Sequence, residues 1–160
     1  MSDAVLSIGS NLGDRLAHLQ GAVDAMREWL VAVSPVYETA PWGPVPQDDY
    51  LNAVLLVADR EADAATWLDR AHRAEQAARR TREQRWGPRT LDVDVITVDD
   101  VHSDDPALTL PHPRAHERTF VLVPWLAVDP SATLAGQAVS MLVETLPQED
   151  VRLRPELVIT

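Results

Sequence analysis

The order of apolar patterns along the first 98 residues limits the fold of this chain more than any other feature of its sequence. Short apolar runs typical of strands occupy residues 5–8, 31–38, 50–58 and 91–98. After the first and the third of these runs, apolar residues recur at the three- and four-residue spacing of an amphipathic helix. The resulting order, β-α-β-β-α-β, is that of the ferredoxin-like split unit. We therefore predict an α+β fold with a ferredoxin-like core.

The remaining segments complete this outline. The turn at 9–14 can cap a first helix through Ser10 or Asn11, and a second helix is predicted from residue 64 to about 80. We predict a short hairpin within 101–110 and additional C-terminal helices near 115–126 and 136–146, whereas the segment after 151 has no clear pattern. At 160 residues the chain is expected to form one domain spanning 1–160.

Composition excludes several classes of protein. The sequence has no cysteine, which excludes disulfides and thiolate metal sites, and no apolar run approaches the roughly 20 residues of a membrane span. The net charge of -11 opposes general binding to nucleic acid, because a phosphate backbone favours a basic surface. We expect a soluble, cytoplasmic protein that is a monomer and has small molecules as its partners, without nucleic acid or membrane contacts.

Half of the positive charge lies in one 20-residue window. The chain has 14 arginines and no lysine, and the window 70–89 contains seven of those arginines and only two glutamates, for a net charge of +5. A planar guanidinium that stays charged suits phosphate oxygens. A solvated helix face with salt bridges would explain the window equally well, so the window alone does not establish a phosphate site.

Two aspartates in the fourth predicted strand form the sharpest feature. Alternate side chains of a strand share a face, so Asp92 and Asp94 project together, about 7 Å apart, while Val93 and Val95 point to the core. Such a pair can hold Mg²⁺, which typically takes one or two carboxylates together with substrate phosphates. Two surface aspartates would give the same pattern. The arginine window immediately upstream favours a site for a metal and a triphosphate.

The run from Arg85 to Ile96 is the most specific motif of the sequence, and further motifs lie at 8–11, 37–44, 49–52 and 110–113 and in the pair formed by Arg118 and Phe120. With these motifs the chain resembles the 6-hydroxymethyl-7,8-dihydropterin pyrophosphokinase family in its single-domain bacterial form. The resemblance covers roughly residues 4 to 147, and the run from Arg85 to Ile96 matches the family signature at every defined position.

This resemblance implies an enzyme that transfers the β,γ-pyrophosphoryl group of ATP to the pterin hydroxymethyl oxygen and releases AMP, in tetrahydrofolate biosynthesis. It implies two Mg²⁺ ions, held by Asp92 and Asp94. It also implies a mobile arginine-rich loop that closes over ATP, on which Arg82 and Arg89 neutralise phosphate charge and act in catalysis. The implied ATP contacts are Glu75, Arg80, Arg82, Trp86, Arg89, Thr109, His112 and Arg118.

The same resemblance implies a pocket for the pterin ring. Tyr50 and Phe120 match the stacking residues of the family, and Asn52 can both donate to and accept from the polar edge of the ring. The complete set of implied pterin contacts is Thr39, Pro41, Trp42, Tyr50, Asn52 and Phe120. A core position is the alternative role for Phe120. Residues 9–11 are expected to shape the floor of the site, with a helix-capping turn as their alternative role.

Two other functions remain open from the sequence. A second two-metal nucleotidyl transferase on a ferredoxin-like scaffold would release pyrophosphate instead of AMP. A non-catalytic RNA-recognition sheet is opposed by the net charge and by the aspartate pair, which would repel phosphate in the absence of metal. Identification of the reaction product distinguishes the first alternative from a pyrophosphokinase. An ATP-independent, salt-sensitive affinity for RNA would support the second alternative.

Overall fold

A computed structural model of the chain describes residues 2–41, 43–78, 90–147 and 151–160. The strands in these residues are β1 (Ser2–Ser10), β2 (Leu30–Val33), β3 (Tyr37–Thr39), β4 (Tyr50–Asp59), β5 (Asp92–Val98), β6 (Ser103–Asp105), β7 (Leu108–Leu110), β8 (Thr133–Leu134), β9 (Gln137–Ala138) and β10 (Val151–Leu153). The helices are α1 (Arg15–Met26), α2 (Ala64–Ala77), α3 (Thr119–Val128) and α4 (Val139–Thr145), with 3-10 turns at Arg27–Trp29 and Ala115–Glu117. Each helix in the described residues is too short or too polar to cross a membrane.

The main sheet has the predicted ferredoxin-like topology. It is antiparallel, its strands lie in the order β10-β3-β4-β1-β5, and β2 also pairs with β4. Helix α1 connects β1 to β2, and α2 connects β4 to β5, so the β-α-β-β-α-β order is confirmed. The hairpin predicted within 101–110 is also confirmed, as β6 paired with β7.

The strand predicted over 31–38 is instead divided into β2 and β3, which is a correction to the sequence analysis. The interruption falls at Ser34 and Pro35, and proline has no N–H to donate to a ladder. The Ser34 hydroxyl accepts a hydrogen bond of 2.8 Å from the Val54 backbone N–H, in the place of a backbone carbonyl. The chain thus keeps its connection to β4 while its direction changes between the two short strands.

The sheet is covered on both faces. Helices α1 and α2 pack on one face, where β4 contributes Leu51, Ala53 and Leu55 to the larger core cluster. The other face carries a second apolar cluster formed with α3 and α4, to which β4 contributes Val54. We call this second face the α3 face. The appended C-terminal helices were predicted, and they cover apolar residues that a bare ferredoxin-like sheet would expose.

The last described segment forms a strand at the sheet edge that the sequence pattern did not predict. Strand β10 pairs with β3, and the side chain of Glu38 on β3, which is 12% exposed, is surrounded by Arg15, Arg152 and Arg154. Burial acts to raise the pKa of Glu38, but hydrogen bonds and charges from Arg15 and Arg154 outweigh it and hold the pKa below its usual value. This cluster ties the C-terminal strand to the start of α1.

Candidate functional site

A polar row crosses one end of the α3 face. In the strand registers, Asp92 of β5 lies opposite Gly9 of β1, and Gly9 lies opposite Asn52 of β4. Asn52 in turn lies opposite Tyr37 of β3. Directly opposite residues in an antiparallel sheet have side chains about 5 Å apart. The row therefore brings a carboxylate and an amide to the two sides of a single glycine.

Strand β5 presents its two aspartates as the sequence predicted. Val93 and Val95 are each 5% exposed and belong to the larger core cluster, whereas Asp92 and Asp94 are half-buried on the opposite face. The carboxylates are hard oxygen donors on a regular strand, so they fit Mg²⁺ completed by phosphate and water oxygens. No group of three or more metal-binding side chains occurs in the described part of the chain.

Arg118 lies beside these carboxylates at the start of α3. Burial lowers the pKa of the Arg118 guanidinium, while the negative charges of Asp94 and Asp92 oppose that shift. An arginine remains charged at neutral pH even so. Its Cζ atom is 5.5 Å from the centre of the Phe120 ring. The structure therefore brings the Arg118 cation to the carboxylate pair and the Phe120 ring to that cation.

The amide side of the row is held rigidly. Asn52 is 3% exposed, and its Nδ2 donates a hydrogen bond of 2.6 Å to the Thr39 hydroxyl. Tyr50 lies on the same strand two residues before Asn52 and opposite Thr39, so the three side chains share one face. Pro41 follows β3 by two residues and is half-buried. Thr39, Tyr50 and Asn52, all three predicted from the sequence, therefore lie together on one face of the sheet, and Pro41 follows in the chain.

Phe120 has the core role that the sequence left open, and its pterin-stacking role stays a prediction. Its ring is half-buried and packs against the second apolar cluster, and it also faces Arg118. The ring is thus anchored in the core at one edge and borders the polar end of the α3 face at the other. An aromatic ring fixed in this way can offer a stacking surface without a large loss of side-chain entropy.

Gly9 sets the depth of the space between the carboxylate and the amide. A Cβ atom added to Gly9 would lie 2.8 Å from Asn52 Oδ1 and 3.4 Å from Tyr50 Cδ1. Asn11, which the sequence also placed in the floor, has another use. Its Nδ2 donates to Gln47 Oε1 at 2.7 Å and to the Asp48 carbonyl at 2.9 Å. Asn11 therefore anchors the loop that leads into β4.

Glu75 has a contact that the sequence analysis did not predict. Its side chain is 7% exposed on α2, and Oε2 accepts a hydrogen bond of 2.9 Å from the backbone N–H of Val93, between the two aspartates. Glu75 lies on the same helical face as Trp67, Ala71 and Ala74, all of them buried. An acidic residue on an otherwise apolar stripe was the sequence signal that could have revealed this contact.

Thr109 and His112 lie on the segment that follows β5. The Thr109 hydroxyl donates to the Asp105 carbonyl at 3.1 Å within the β6–β7 hairpin. The backbone N–H of His112 donates to the Ile96 carbonyl at 2.8 Å, which attaches this segment to β5 close to Asp94. His112 Nδ1 accepts from the Arg114 N–H at 3.2 Å, so Nε2 carries the proton of the neutral ring.

We expect the stability of the protein to depend on pH through His112. Burial, and then the charges of Arg118 and Arg114, lower the pKa of His112 from 6.5 to about 4. The unfolded chain therefore binds a proton at a pH where the folded protein does not, and stability falls as the pH is lowered from about 6.5 towards 4. The variant His112→Gln removes this contribution.

The measurement is urea unfolding at pH 7 and pH 5. The wild type should lose about 1 kcal/mol more than His112→Gln between these two pH values, a figure reduced for solvent screening of a half-buried ring. The variant His116→Gln, which changes an exposed histidine nearby, should keep the wild-type pH dependence. Equal losses in the wild type and in His112→Gln would contradict the prediction.

Five of the predicted contacts lie outside the described residues. They are Trp42, Arg80, Arg82, Trp86 and Arg89. Among the described ones, the structure brings Asp92, Asp94, Asn52, Thr39 and Tyr50 to one face of the sheet, with Arg118 and Phe120 beside them. Glu75 lies across β5 from this face and reaches the backbone of that strand.

Known proteins match most of this chain. The sequence model of the 7,8-dihydro-6-hydroxymethylpterin-pyrophosphokinase family matches residues 5–130. The 2-amino-4-hydroxy-6-hydroxymethyldihydropteridine pyrophosphokinase of Mycobacterium tuberculosis is 51% identical over 147 residues, covering 85% of this chain and 78% of its own. The enzyme of the same name from Mycobacterium leprae is 52% identical over 170 residues, covering 96% of this chain and 89% of its own.

Solved structures share the fold. The wild-type HPPK-DHPS of Plasmodium falciparum with SDX-DHP superposes with a TM-score of 0.68 over 89% of this chain, at 13% identity. This chain spans 44% of that longer protein, so the likeness concerns one part of it and supports the fold alone. The family match and the two mycobacterial relatives lead to one conclusion: the chain belongs to the 7,8-dihydro-6-hydroxymethylpterin-pyrophosphokinase family.

Proposed function

We propose that this chain transfers pyrophosphate from ATP to 6-hydroxymethyl-7,8-dihydropterin in folate biosynthesis, forming AMP and the pterin diphosphate. The reaction is that of the family. The structural observation that carries the proposal is the row in which Gly9 lies between Asp92 and Asn52. This row offers a site for a phosphate-bound cation on one side and donor and acceptor groups for a heterocyclic edge on the other.

The proposal includes two Mg²⁺ ions bound with ATP at Asp92 and Asp94. When bound, such ions would neutralise phosphate charge and align the reacting oxygens. The chain holds both carboxylates rigidly, because they project from a strand whose residues Val93 and Val95 are buried in the core. Arg118 and the neutral His112 ring add N–H donors on the same side of the sheet, suited to phosphate oxygens.

The acceptor side of the proposed site orients the pterin. Asn52, fixed by Thr39, would read the polar edge of the ring, while Tyr50 and Phe120 would contact its faces. Pro41 and Trp42 would complete this pocket. The hydroxymethyl oxygen then attacks the β-phosphorus of ATP and gives up its proton to a phosphate oxygen or to solvent. The bond from that phosphorus to the α-phosphate oxygen breaks, and AMP leaves. Positioning and charge stabilisation are most of what phosphoryl transfer requires of a protein.

Other predicted roles belong to this proposal. Arg82 and Arg89 would stabilise phosphate charge during transfer, and Arg80 and Trp86 would contact ATP together with Thr109. We also propose that residues 1–160 form one domain, which acts as a monomer in the cytoplasm.

The test is an assay of products from ATP, Mg²⁺ and 6-hydroxymethyl-7,8-dihydropterin. We expect AMP and the pterin diphosphate in equal amounts, and no reaction after chelation of the metal. Release of inorganic pyrophosphate instead of AMP would indicate a nucleotidyl transferase. ADP as the product, or no turnover with folded protein, would refute the proposal.

A further inference from the structure

The backbone of the aspartate pair is held from two sides. Strand β5 lies at the end of the described sheet, with β1 on one side and α2 packed close by. Backbone N–H groups of successive residues in a strand point in opposite directions. Because the Val93 N–H donates to Glu75 on α2, the N–H groups of Asp92 and Asp94 point towards β1. The Val93 N–H thus has Glu75 as its acceptor, while the N–H groups of Asp92 and Asp94 face β1 within the sheet.

Glu75 is unusual for its surroundings. It is 7% exposed on a helical face that otherwise carries Trp67, Ala71 and Ala74, each 4% exposed or less. Burial of a carboxylate is unfavourable unless hydrogen bonds compensate it. An alanine or leucine here would satisfy the packing, but it would leave the buried Val93 N–H without its acceptor. The hydrogen bond to Val93 therefore gives the buried carboxylate a role that an apolar side chain could not fill.

We propose that Glu75 is a positioning residue, which fixes the orientation of Asp92 and Asp94 by holding the Val93 amide between them. The inference rests on the proposed function, in which these two aspartates bind the metal–nucleotide complex. It differs from the role implied by family resemblance, in which Glu75 contacts ATP itself. Partners that orient metal ligands commonly change metal affinity by 10- to 100-fold when they are removed.

Two substitutions of Glu75 distinguish the effect of its side-chain length from the effect of its negative charge. Glu75→Gln keeps an oxygen at the same distance from the helix and removes the charge, whereas Glu75→Asp keeps the charge and withdraws the oxygens by one methylene group. If Glu75 acts through the Val93 amide, the glutamine variant should resemble the wild type and the aspartate variant should not. If Glu75 acts through its charge on ATP, the order of the two variants should be reversed.

The first measurement is hydrogen exchange of the Val93 amide in the ligand-free protein, followed by NMR. We expect Glu75→Asp to exchange this amide at least about tenfold faster than the wild type, and Glu75→Gln to stay within about threefold, because loss of a hydrogen bond permits local opening. The variant Gln76→Ala, at an exposed position of the same helix, is the matched control and should leave Val93 exchange unchanged.

The second measurement is calorimetric binding of a non-hydrolysable ATP analogue, with and without Mg²⁺. Glu75→Asp should weaken binding at least about tenfold with Mg²⁺ and little without it, while Glu75→Gln should stay within about threefold in both conditions. Equal losses with and without Mg²⁺, or faster Val93 exchange with wild-type affinity, would overturn the inference. Neither measurement involves the pterin, so a failure of the proposed reaction would appear separately, in the product assay.

Discussion

Asp92→Asn and Asp94→Asn should each lower kcat/KM by about 10³-fold or more, with the fold unchanged. Asparagine has nearly the same shape as aspartate but carries no charge, so the substitution removes a metal ligand without opening a cavity. Both positions are half-buried on the α3 face, where the side chains do not contribute to the apolar core. We therefore expect the free energy of unfolding to change by less than about 1 kcal/mol.

Thermal unfolding with and without ligand tests whether the lower kcat/KM of these variants results from the loss of a metal ligand. Mg²⁺ with a non-hydrolysable ATP analogue should raise the Tm of the wild type, because a ligand that binds only the folded state stabilises it. The same addition should raise the Tm of either variant much less. Asp100→Asn is the matched control, because Asp100 is exposed just beyond the opposite end of β5. A variant that retains wild-type turnover would remove that aspartate from the proposed mechanism.

Alternation along a strand made the aspartate pair predictable. The valines next to Asp92 and Asp94 are buried as expected, because a strand with one core-facing side has a register that its apolar residues determine. The same local reasoning applies to Tyr50 and Asn52, which lie two residues apart on β4 and share a face. Periodicity in the sequence was therefore sufficient wherever one strand alone decided the orientation of a side chain.

Contacts between distant segments were not predictable in this way. The contact from Glu75 to Val93 joins α2 to β5, and the contact from Asn11 to Asp48 joins two loops. Strand β10 is too short to show a periodic pattern. Its position is set by pairing with β3 and by the arginines around Glu38. The division of the second strand depends on a side-chain hydroxyl that replaces a backbone acceptor. Such contacts are set by tertiary packing, which local propensity does not encode.

Gly9→Ala should raise the KM for the pterin by about tenfold or more, a loss typical of displaced substrate-positioning groups, and should change the KM for ATP far less. The new Cβ would lie 2.8 Å from Asn52 Oδ1, which is closer than real Cβ atoms come to such an oxygen. Asn52 cannot swing away freely, because it is buried and donates to Thr39. The methyl group therefore displaces the amide proposed to read the pterin edge.

The free energy of unfolding of Gly9→Ala reports the steric contact between the new Cβ and Asn52 independently of substrate binding. Overpacking of a well-packed site costs about 1–3 kcal/mol. Gly21→Ala, at an exposed position of α1 with no atom within 4 Å of the added Cβ, should instead stabilise the protein by up to about 1 kcal/mol. In an Asn52→Ala background the cost of Gly9→Ala should largely disappear, because the atom that it strikes is gone. If Gly9→Ala lowers the stability equally in that background, Asn52 is not the residue for which Gly9 leaves space.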